Sequence, residues 1–147
     1  MDEAAFRQAR KAAVEHPCPF EKALLAGCGT CSLAQRCNIA EREAVACREG
    51  AAREACAVLL GLLRRNAAFA LHLPSAEERL THAREMKVQC GGLAGLQLAL
   101  TGADEIGDVN ALVQAACGSP GGLEGLPYSV IMQSVAACQP RRRARRS

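Results

Sequence analysis

The sequence predicts an all-α protein: a single-domain, irregular bundle of about six helices with a cysteine-rich turn in its N-terminal half. Half of the 147 residues are apolar, which is enough to build a real core. Ala and Leu, both strong helix formers, dominate the apolar residues. Residues that favour strands are scarce, with no Trp, one Tyr and three Phe. The composition therefore argues for helices and against a sheet.

Two short helical segments are predicted before the cysteine-rich turn. A first helix spans residues 2–15, where four apolar residues lie on one side. The stretch HPCP ends it, because proline cannot continue a helix. Pro19 fits the first position of a second helix, which turns Phe20 and Leu24 inward and ends at Gly27.

A third short helix is predicted from residue 39 to about residue 47, because Asn38 and Glu41 form a capping pair. Gly50 interrupts the pattern, and the most regular helix follows over residues 51–71. The predicted apolar stripe of that helix consists of Ala55, Leu59, Leu62, Leu63 and Phe69.

The C-terminal half carries further helix boundary signals. A capping box predicts a helix that runs to Cys90, and a glycine pair kinks or interrupts it before the segment LAGLQLAL. An aspartate caps the next helix, and a proline opens the last one. The capping box is Ser75 with Glu78, and the glycine pair is Gly91 with Gly92. The capping aspartate is Asp108, and the proline that opens the last helix is Pro127.

The charge is unevenly distributed along the chain. Five of the 18 Lys and Arg residues lie within residues 141–147, so the rest of the chain has 13 basic against 15 acidic residues. We expect one helical metal-binding domain over residues 1–140, followed by a disordered, arginine-rich tail over residues 141–147. Such a tail would dock electrostatically on a protein partner with an acidic surface. Nucleic acid is a less favoured partner, because aromatic residues for base stacking are almost absent.

No stretch of the sequence approaches the ~20 apolar residues that cross a bilayer, so no membrane span is expected. The N-terminal stretch MDEAAFRQAR lacks the basic-then-apolar order of a signal peptide. We therefore expect a cytoplasmic protein, in which thiols stay reduced. Nine cysteines is also an odd number, which makes disulfides the weaker interpretation and metal-binding thiols the stronger one.

Six of the nine cysteines lie within 39 residues, with the spacing C-x9-C-x2-C-x5-C-x9-C-x8-C. This density exceeds what a helical core needs, whereas Cys117 and Cys138 each end an ordinary helix and are expected to be small core residues. A C-x2-C turn lets the thiolates of Cys28 and Cys31 face one centre, and Cys37 can supply a third ligand. The six are Cys18, Cys28, Cys31, Cys37, Cys47 and Cys56.

Sulfur ligands of this kind select iron–sulfur clusters or zinc. Structural zinc usually shows two paired knuckles, and this chain has one, with no second pair supplied by its three histidines. Iron–sulfur ligation accepts one compact run plus a remote fourth cysteine. The spacing therefore favours an iron–sulfur cluster of the [4Fe–4S] type, with zinc as the alternative.

The C-x2-C-x5-C run formed by Cys28, Cys31 and Cys37 resembles the auxiliary-cluster motif of radical-SAM maturases. It also resembles the motif of the molybdenum-donor protein of nitrogenase cofactor assembly. The further cysteine of these two families falls at Glu41 and at Ala23 respectively in this chain. The resemblance covers about ten residues and implies an iron–sulfur cluster held by the three cysteines.

The fourth ligand is predicted to be Cys18, which stands between two prolines in an irregular setting. Its distance from Cys28 would be about 15 Å if residues 19–27 formed one unbroken helix. Packing of the second and third helices would instead bring Cys18 and Cys47 together, with Cys56 beside them. Cys47, Cys56 and Cys90 are therefore the alternatives for this position or members of a second group.

These observations predict an iron–sulfur protein that acts in electron transfer, redox sensing or cluster delivery to a partner. A zinc-binding structural adaptor and a cluster-free thiol redox protein are the two alternatives. The chain shows no Gly-rich phosphate loop, no paired catalytic carboxylates and no nucleophile–His–Asp pattern. We therefore do not predict an enzyme.

Overall fold

The computed structural model describes residue 4 and residues 16–39, 41–72, 81–103 and 105–139. These residues form a two-stranded antiparallel hairpin and a set of packed helices. A π-helical turn, Lys87–Gly91, joins α3 to α4, and a 3₁₀ turn, Gly122–Gly125, precedes α6. The elements are α1 (Glu21–Leu25), β1 (Ala34–Ile39), β2 (Arg42–Cys47), α2 (Gly50–Ala70), α3 (His82–Met86), α4 (Gly92–Thr101), α5 (Val109–Cys117) and α6 (Tyr128–Ala137).

The all-α prediction is wrong, because a hairpin stands where the third helix was expected. Strands β1 and β2 pair in register from Ala34 opposite Cys47 to Ile39 opposite Arg42. Glu41, predicted to cap a helix, instead lies in the turn with a positive φ of 70°. A non-glycine residue adopts this conformation mainly in tight turns.

Backbone partners from outside the hairpin explain why the extended form is stable. The N–H of Cys18 donates to Val45 O at 2.9 Å, and the N–H of Cys47 donates to His16 O at 2.7 Å. The N–H of Val45 donates to the Glu21 carboxylate at 2.7 Å. Residues 16–18 thus cover the outer edge of β2, where an unpaired edge would be unfavourable. A helix over the same residues would lose all three bonds.

The core forms where α2 packs against α5, α6 and the π turn, and α1 and α4 supply further buried side chains. Leu59 and Leu63 of α2 are fully buried, as the predicted apolar stripe requires. The prediction that Phe69 belongs to this stripe is wrong, because its side chain is 88 % exposed. Phe20 of the turn before α1 fills the core instead. The largest fully buried side chains elsewhere are Leu93, Leu96 and Ile131.

Glycines allow α4 and the π turn to approach α6 at backbone distance. A Cβ atom on Gly91 would lie 2.6 Å from the Cα of Val135, and one on Gly95 would lie 3.0 Å from the carbonyl oxygen of Ile131. The predicted interruption near Gly91 takes the form of the π turn, and the helix continues as α4. A π turn adds one residue to the helix without ending it.

Several predicted boundaries are confirmed. Helix α1 follows Pro19 and stops before Gly27, whose φ is 80°. Asp108 caps α5 by accepting from the N–H of Asn110, and Pro127 precedes α6. Within the described part, no helix is long and apolar enough to cross a bilayer. Outside the described residues lie most of the first predicted helix, the capping box at Ser75 and the arginine tail.

Candidate four-cysteine site

The loop that carries Cys28 and Cys31 is seated on the N-terminus of α5. Thr30 exchanges backbone hydrogen bonds with this end of the helix: its carbonyl accepts from Val109 N–H at 2.7 Å. The carboxylate of Asp108 accepts from the N–H of Ser32 at 2.7 Å and from its hydroxyl at 3.0 Å. One aspartate therefore caps α5 and fixes the cysteine loop at the same time.

Glycine lets this loop approach the residues around the start of α5 closely. A Cβ atom on Gly29 would lie 2.8 Å from the side chain of Ile106, so a larger residue would require the loop or that side chain to shift. The preceding residue, Cys28, donates its N–H to Ala23 O at 2.9 Å. The loop is thus held by α1 on one side and by α5 on the other.

Four cysteines line one small cavity beside this loop. Each comes from a different part of the chain: Cys18 precedes α1, Cys31 precedes β1, Cys47 ends β2 and Cys56 lies in α2. The remaining walls are mostly apolar. They consist of Pro19, Leu24, Leu33, Ala34, Ala46, Ala52, Arg53, Val109 and Asn110.

The hairpin explains how Cys18 and Cys47 meet. Cys18 lies opposite Val45 at the covered edge of β2, and Cys47 is two residues further along that strand. Residues two apart on a strand point to the same face, so Cys47 lies on the same face as Val45. Cys18 and Cys47 are therefore diagonal neighbours, which are typically about 7–8 Å apart between Cα atoms.

Burial keeps two of the cavity thiols, those of Cys18 and Cys56, protonated at neutral pH. Burial first, and then the neighbouring charges of Cys18, Cys31 and Cys47, raise the pKa of Cys56 to about 12. Burial likewise raises the pKa of Cys18 to about 11, although a hydrogen bond from the Phe20 N–H offsets part of this effect. A bound cation would reverse these shifts, because a coordinating thiol loses its proton.

Arg53 brings a positive charge to the same cavity. Arg53 is one of the residues that line the cavity, and its Nε donates to the carbonyl of Pro17 at 3.2 Å. A second nitrogen of the guanidinium pairs with Glu54 at 3.1 Å, so this charge is matched by a neighbouring carboxylate. The thiol of Cys47 donates to Glu49 O at 3.2 Å.

The three cysteines of the C-x2-C-x5-C run lie in three different settings. Cys31 lines the cavity, whereas Cys28 forms a disulfide with Cys90, with their Cα atoms 5.9 Å apart. Cys37 lies on β1 and packs against Ile39 and Ala44. The expectation of unpaired thiols is wrong for Cys28 and Cys90. The predicted ligand set of Cys18, Cys28, Cys31 and Cys37 stays a prediction, of which the cavity brings two members together.

The two cysteines outside these groups differ from each other. Cys117 is exposed, so the expectation that it fills the core is wrong. Cys138 is half-buried against the core, and burial raises its pKa.

The side chains around the cavity are not arranged for coordination. In the described part of the chain, no group of three or more His, Cys, Asp or Glu side chains is placed to hold a metal ion. The cavity encloses about 10 Å³, which is room for about one water molecule. Binding a group larger than one ion would require the thiol side chains to turn outward.

The helical spacing of the sequence predicts that Cys56 is buried, whereas the high density of cysteines in this part of the chain does not. Cys56 follows Ala52 by four residues and precedes Leu59 by three, and all three are buried on the inner face of α2. Cys47 has no comparable local signal, because its position depends on the strand pairing.

Comparison of the chain with protein-family models, with curated proteins and with solved structures finds no match.

Proposed function

We propose that this protein binds an iron–sulfur cluster through Cys18, Cys31, Cys47 and Cys56. One observation carries the proposal: four thiols from four separate chain segments line one mostly apolar cavity. Thiolate ligands select soft metals and iron–sulfur clusters. The role that fits such a site in a chain without catalytic motifs is electron transfer, redox sensing or delivery of the cluster to a partner.

The raised pKa values of Cys18 and Cys56 favour a metal-bound role over a cluster-free thiol redox role. A thiol that attacks disulfides needs a pKa near or below the ambient pH. Burial instead raises the pKa of Cys18 to about 11 and that of Cys56 to about 12. Such thiols are poor nucleophiles but become good ligands once a cation compensates for their charge.

The arrangement of the four segments favours a cluster over structural zinc. Structural zinc sites are usually built from two knuckles, each of which supplies two ligands from one turn. In this chain the C-x2-C turn contributes Cys31 alone, because Cys28 is bonded to Cys90.

Zinc remains the second candidate because of the size of the cavity. About 10 Å³ suits a single ion with smaller side-chain movements than a cluster requires. A zinc-bound form would act as a structural adaptor.

The test is anaerobic purification followed by analysis of iron, acid-labile sulfide and zinc. We expect bound iron and sulfide in equal amounts and a broad absorbance near about 400 nm. Cys47→Ser should abolish the cluster, because serine oxygen is a harder ligand than thiolate. Cys37→Ser is the matched control, since the sequence-based ligand set predicts loss of the cluster and the cavity-based set predicts none.

Each other outcome has a definite meaning. Colourless protein with one zinc ion per chain would reject the iron–sulfur cluster and support the zinc-binding structural adaptor. Metal-free protein after anaerobic purification and reconstitution would reject both metal sites. Loss of the cluster in Cys37→Ser, with retention in Cys47→Ser, would reject the cavity as the site.

We also infer a cytoplasmic location and a protein partner with an acidic surface. The five arginines within residues 141–147 support this partner, because they concentrate positive charge on a chain that is otherwise slightly acidic. Deletion of residues 141–147 should leave cluster content unchanged and weaken binding to an acidic protein, most strongly at low salt. If the full-length and shortened chains bound the acidic protein equally well, the arginine-rich tail would have no role in partner binding.

A further inference from the structure

The disulfide between Cys28 and Cys90 lies next to the four-cysteine cavity. Only Gly29 and Thr30 separate Cys28 from the cavity cysteine Cys31. The same loop is anchored on α5 through Thr30 and Ser32. Cys28 and Cys31 therefore share one short loop, and the bridge adds a covalent attachment to the hydrogen bonds that hold it.

The Cys90 side of the bridge is firmly held. Cys90 is only 5 % exposed and belongs to the π turn, in which Gly91 packs against the backbone of Val135. The neighbouring Gln89 is 2 % exposed, and its side-chain oxygen accepts from the N–H of Ala23 at 3.0 Å. Its amide nitrogen donates to the Glu85 carboxylate at 2.7 Å. The bridge therefore fastens a surface loop to a rigid, buried turn.

We propose that the Cys28–Cys90 disulfide is a redox latch that regulates metal binding at the four-cysteine site. This inference rests on the proposed function of that site. The closed bridge holds the loop so that Cys31 faces the cavity, and the site then binds metal without first ordering the loop. Opening the bridge frees Cys28, loosens the loop and weakens metal binding. The latch thus couples the thiol redox state of the surroundings to the loading of the site.

The opening step requires a dithiol reductant. Its first thiolate attacks the sulfur of half-buried Cys28, and Cys90 leaves as a thiolate that takes up a proton. The second thiol of the reductant then attacks the mixed disulfide and releases Cys28 as a thiol. Two electrons and two protons pass to the protein, and the reductant becomes a cyclic disulfide.

The cytoplasmic location inferred above fits a bridge that opens and closes. Disulfides in reducing compartments are usually transient and redox-sensing rather than permanent. The surroundings of the two sulfur atoms also differ, because Cys28 is half-buried and Cys90 is buried. A reductant therefore reaches Cys28 first.

The first test measures zinc affinity, since a four-thiolate site binds Zn²⁺ whether or not its natural occupant is a cluster. Bridged protein is compared with protein reduced by dithiothreitol and desalted under argon, using a competing chelator. We expect reduction to weaken Zn²⁺ binding about tenfold or more, the usual effect of losing support behind a metal ligand. The double variant C28S/C90S should match the reduced protein and show no further response to dithiothreitol. Cys138→Ser, outside both the bridge and the cavity, should respond like the wild type.

A second test needs no variant and covers the case in which C28S/C90S fails to fold. Coupling between two sites is reciprocal, so Zn²⁺ must favour the closed bridge by the same factor by which the bridge favours Zn²⁺. The fraction of bridged protein is measured in glutathione redox buffers with and without excess Zn²⁺. A shift of about tenfold toward the disulfide supports the latch.

The outcomes separate the two proposals. Zn²⁺ affinities within twofold of each other in bridged and reduced protein, or tighter binding after reduction, would overturn the latch and leave the four-cysteine site intact. Failure of both forms to bind Zn²⁺ would overturn the site and the latch together.

Discussion

The cysteine-lined region, residues 16–56, and the helical region, residues 81–138, are stabilised in different ways. Alanines, thiols and a few leucines surround the cavity, and hydrogen bonds between separate segments fix the backbone there. In the helical region, large apolar side chains fill the core, and glycines bring two helices to backbone contact. The first arrangement depends on the chemical state of its sulfur atoms, whereas the second depends on shape.

Helix α2 begins in the cysteine-lined region and then packs against the helical region, so the two kinds of environment follow each other along one helix. Its first turns present Ala52, Arg53 and Cys56 to the cavity. Its later turns bury Leu59 and Leu63 in the core. Small side chains around the cavity bury little apolar surface and contribute little to stability. A disulfide or a bound metal therefore contributes a larger share of the stability of this region. The following predictions test this contrast, beginning with the largest expected effect.

Close packing in the helical region should make Gly91 intolerant of a side chain. We expect Gly91→Ala to lower the free energy of unfolding by about 3 kcal/mol, because the new Cβ meets backbone that cannot move cheaply. Gly61→Ala in α2 is the matched control, since a Cβ there has nothing within 4 Å. It should raise stability by about 0.5–1 kcal/mol through helix propensity. Urea titration of both variants checks this, and equal effects would disprove the shape argument.

Burial in the cysteine-lined region should suppress alkylation of Cys18 in metal-free protein. Its pKa is about 11 against 9.0 for an ordinary thiol, so the thiolate fraction near pH 8 is about 100-fold lower than in the unfolded chain. The rate with iodoacetamide should rise about tenfold per pH unit up to about pH 11. Peptide mass analysis of native and urea-unfolded protein measures it. Similar rates in the two states at pH 8 would contradict the burial of this thiol.

A chain of hydrogen bonds that runs from half-exposed Arg64 through buried Glu85 and Gln89 to Ala23 joins the two regions, and Arg64→Ala should break it. Arg64 donates to both oxygens of Glu85, and Glu85 accepts from Gln89, which in turn accepts from the N–H of Ala23. Removing the guanidinium leaves a buried carboxylate with one partner fewer, and we expect a loss of about 2 kcal/mol. Arg65→Ala, one residue along on the exposed side, should change stability by less than about 0.5 kcal/mol. Thermal unfolding of the pair decides whether this chain stabilises the protein.

The smallest effect is expected at Phe69. Because this side chain is 88 % exposed, Phe69→Ala should change the free energy of unfolding by less than about 0.5 kcal/mol. Leu63→Ala in the same helix should cost about 3 kcal/mol, since Leu63 is fully buried. A large loss at Phe69 would show that this position is covered in the folded protein.

Local signals predicted several features of the fold correctly. Asp108 caps α5 with its own side chain, and Gly27 ends α1 because glycine adopts a positive φ at low cost. The long helix α2 follows from its apolar spacing. Phe69 fits the same spacing and is nevertheless exposed. The spacing predicts which face of a helix a residue lies on, but it does not predict how far the packed elements extend along that face.

The hairpin could not be predicted from residues 34–47 alone. Those residues carry a helix-like capping pair, whereas their strand form is stabilised by His16, Cys18 and Glu21. Hydrogen bonds to distant segments outweigh a local preference of a few tenths of a kcal/mol per residue.

Composition and cysteine spacing are enough to indicate the chemistry of this protein: a mainly helical chain with an unusual concentration of sulfur ligands near one C-x2-C turn. The division of those thiols depends on the packing of remote segments, which bonds Cys28 to Cys90 across a separation of 62 residues and lets Cys31 line a cavity with Cys18, Cys47 and Cys56. The two kinds of information differ in their range along the chain. Caps and helical periods act within a turn or two of one segment, whereas a thiol takes whichever partner the packing of remote segments brings within reach.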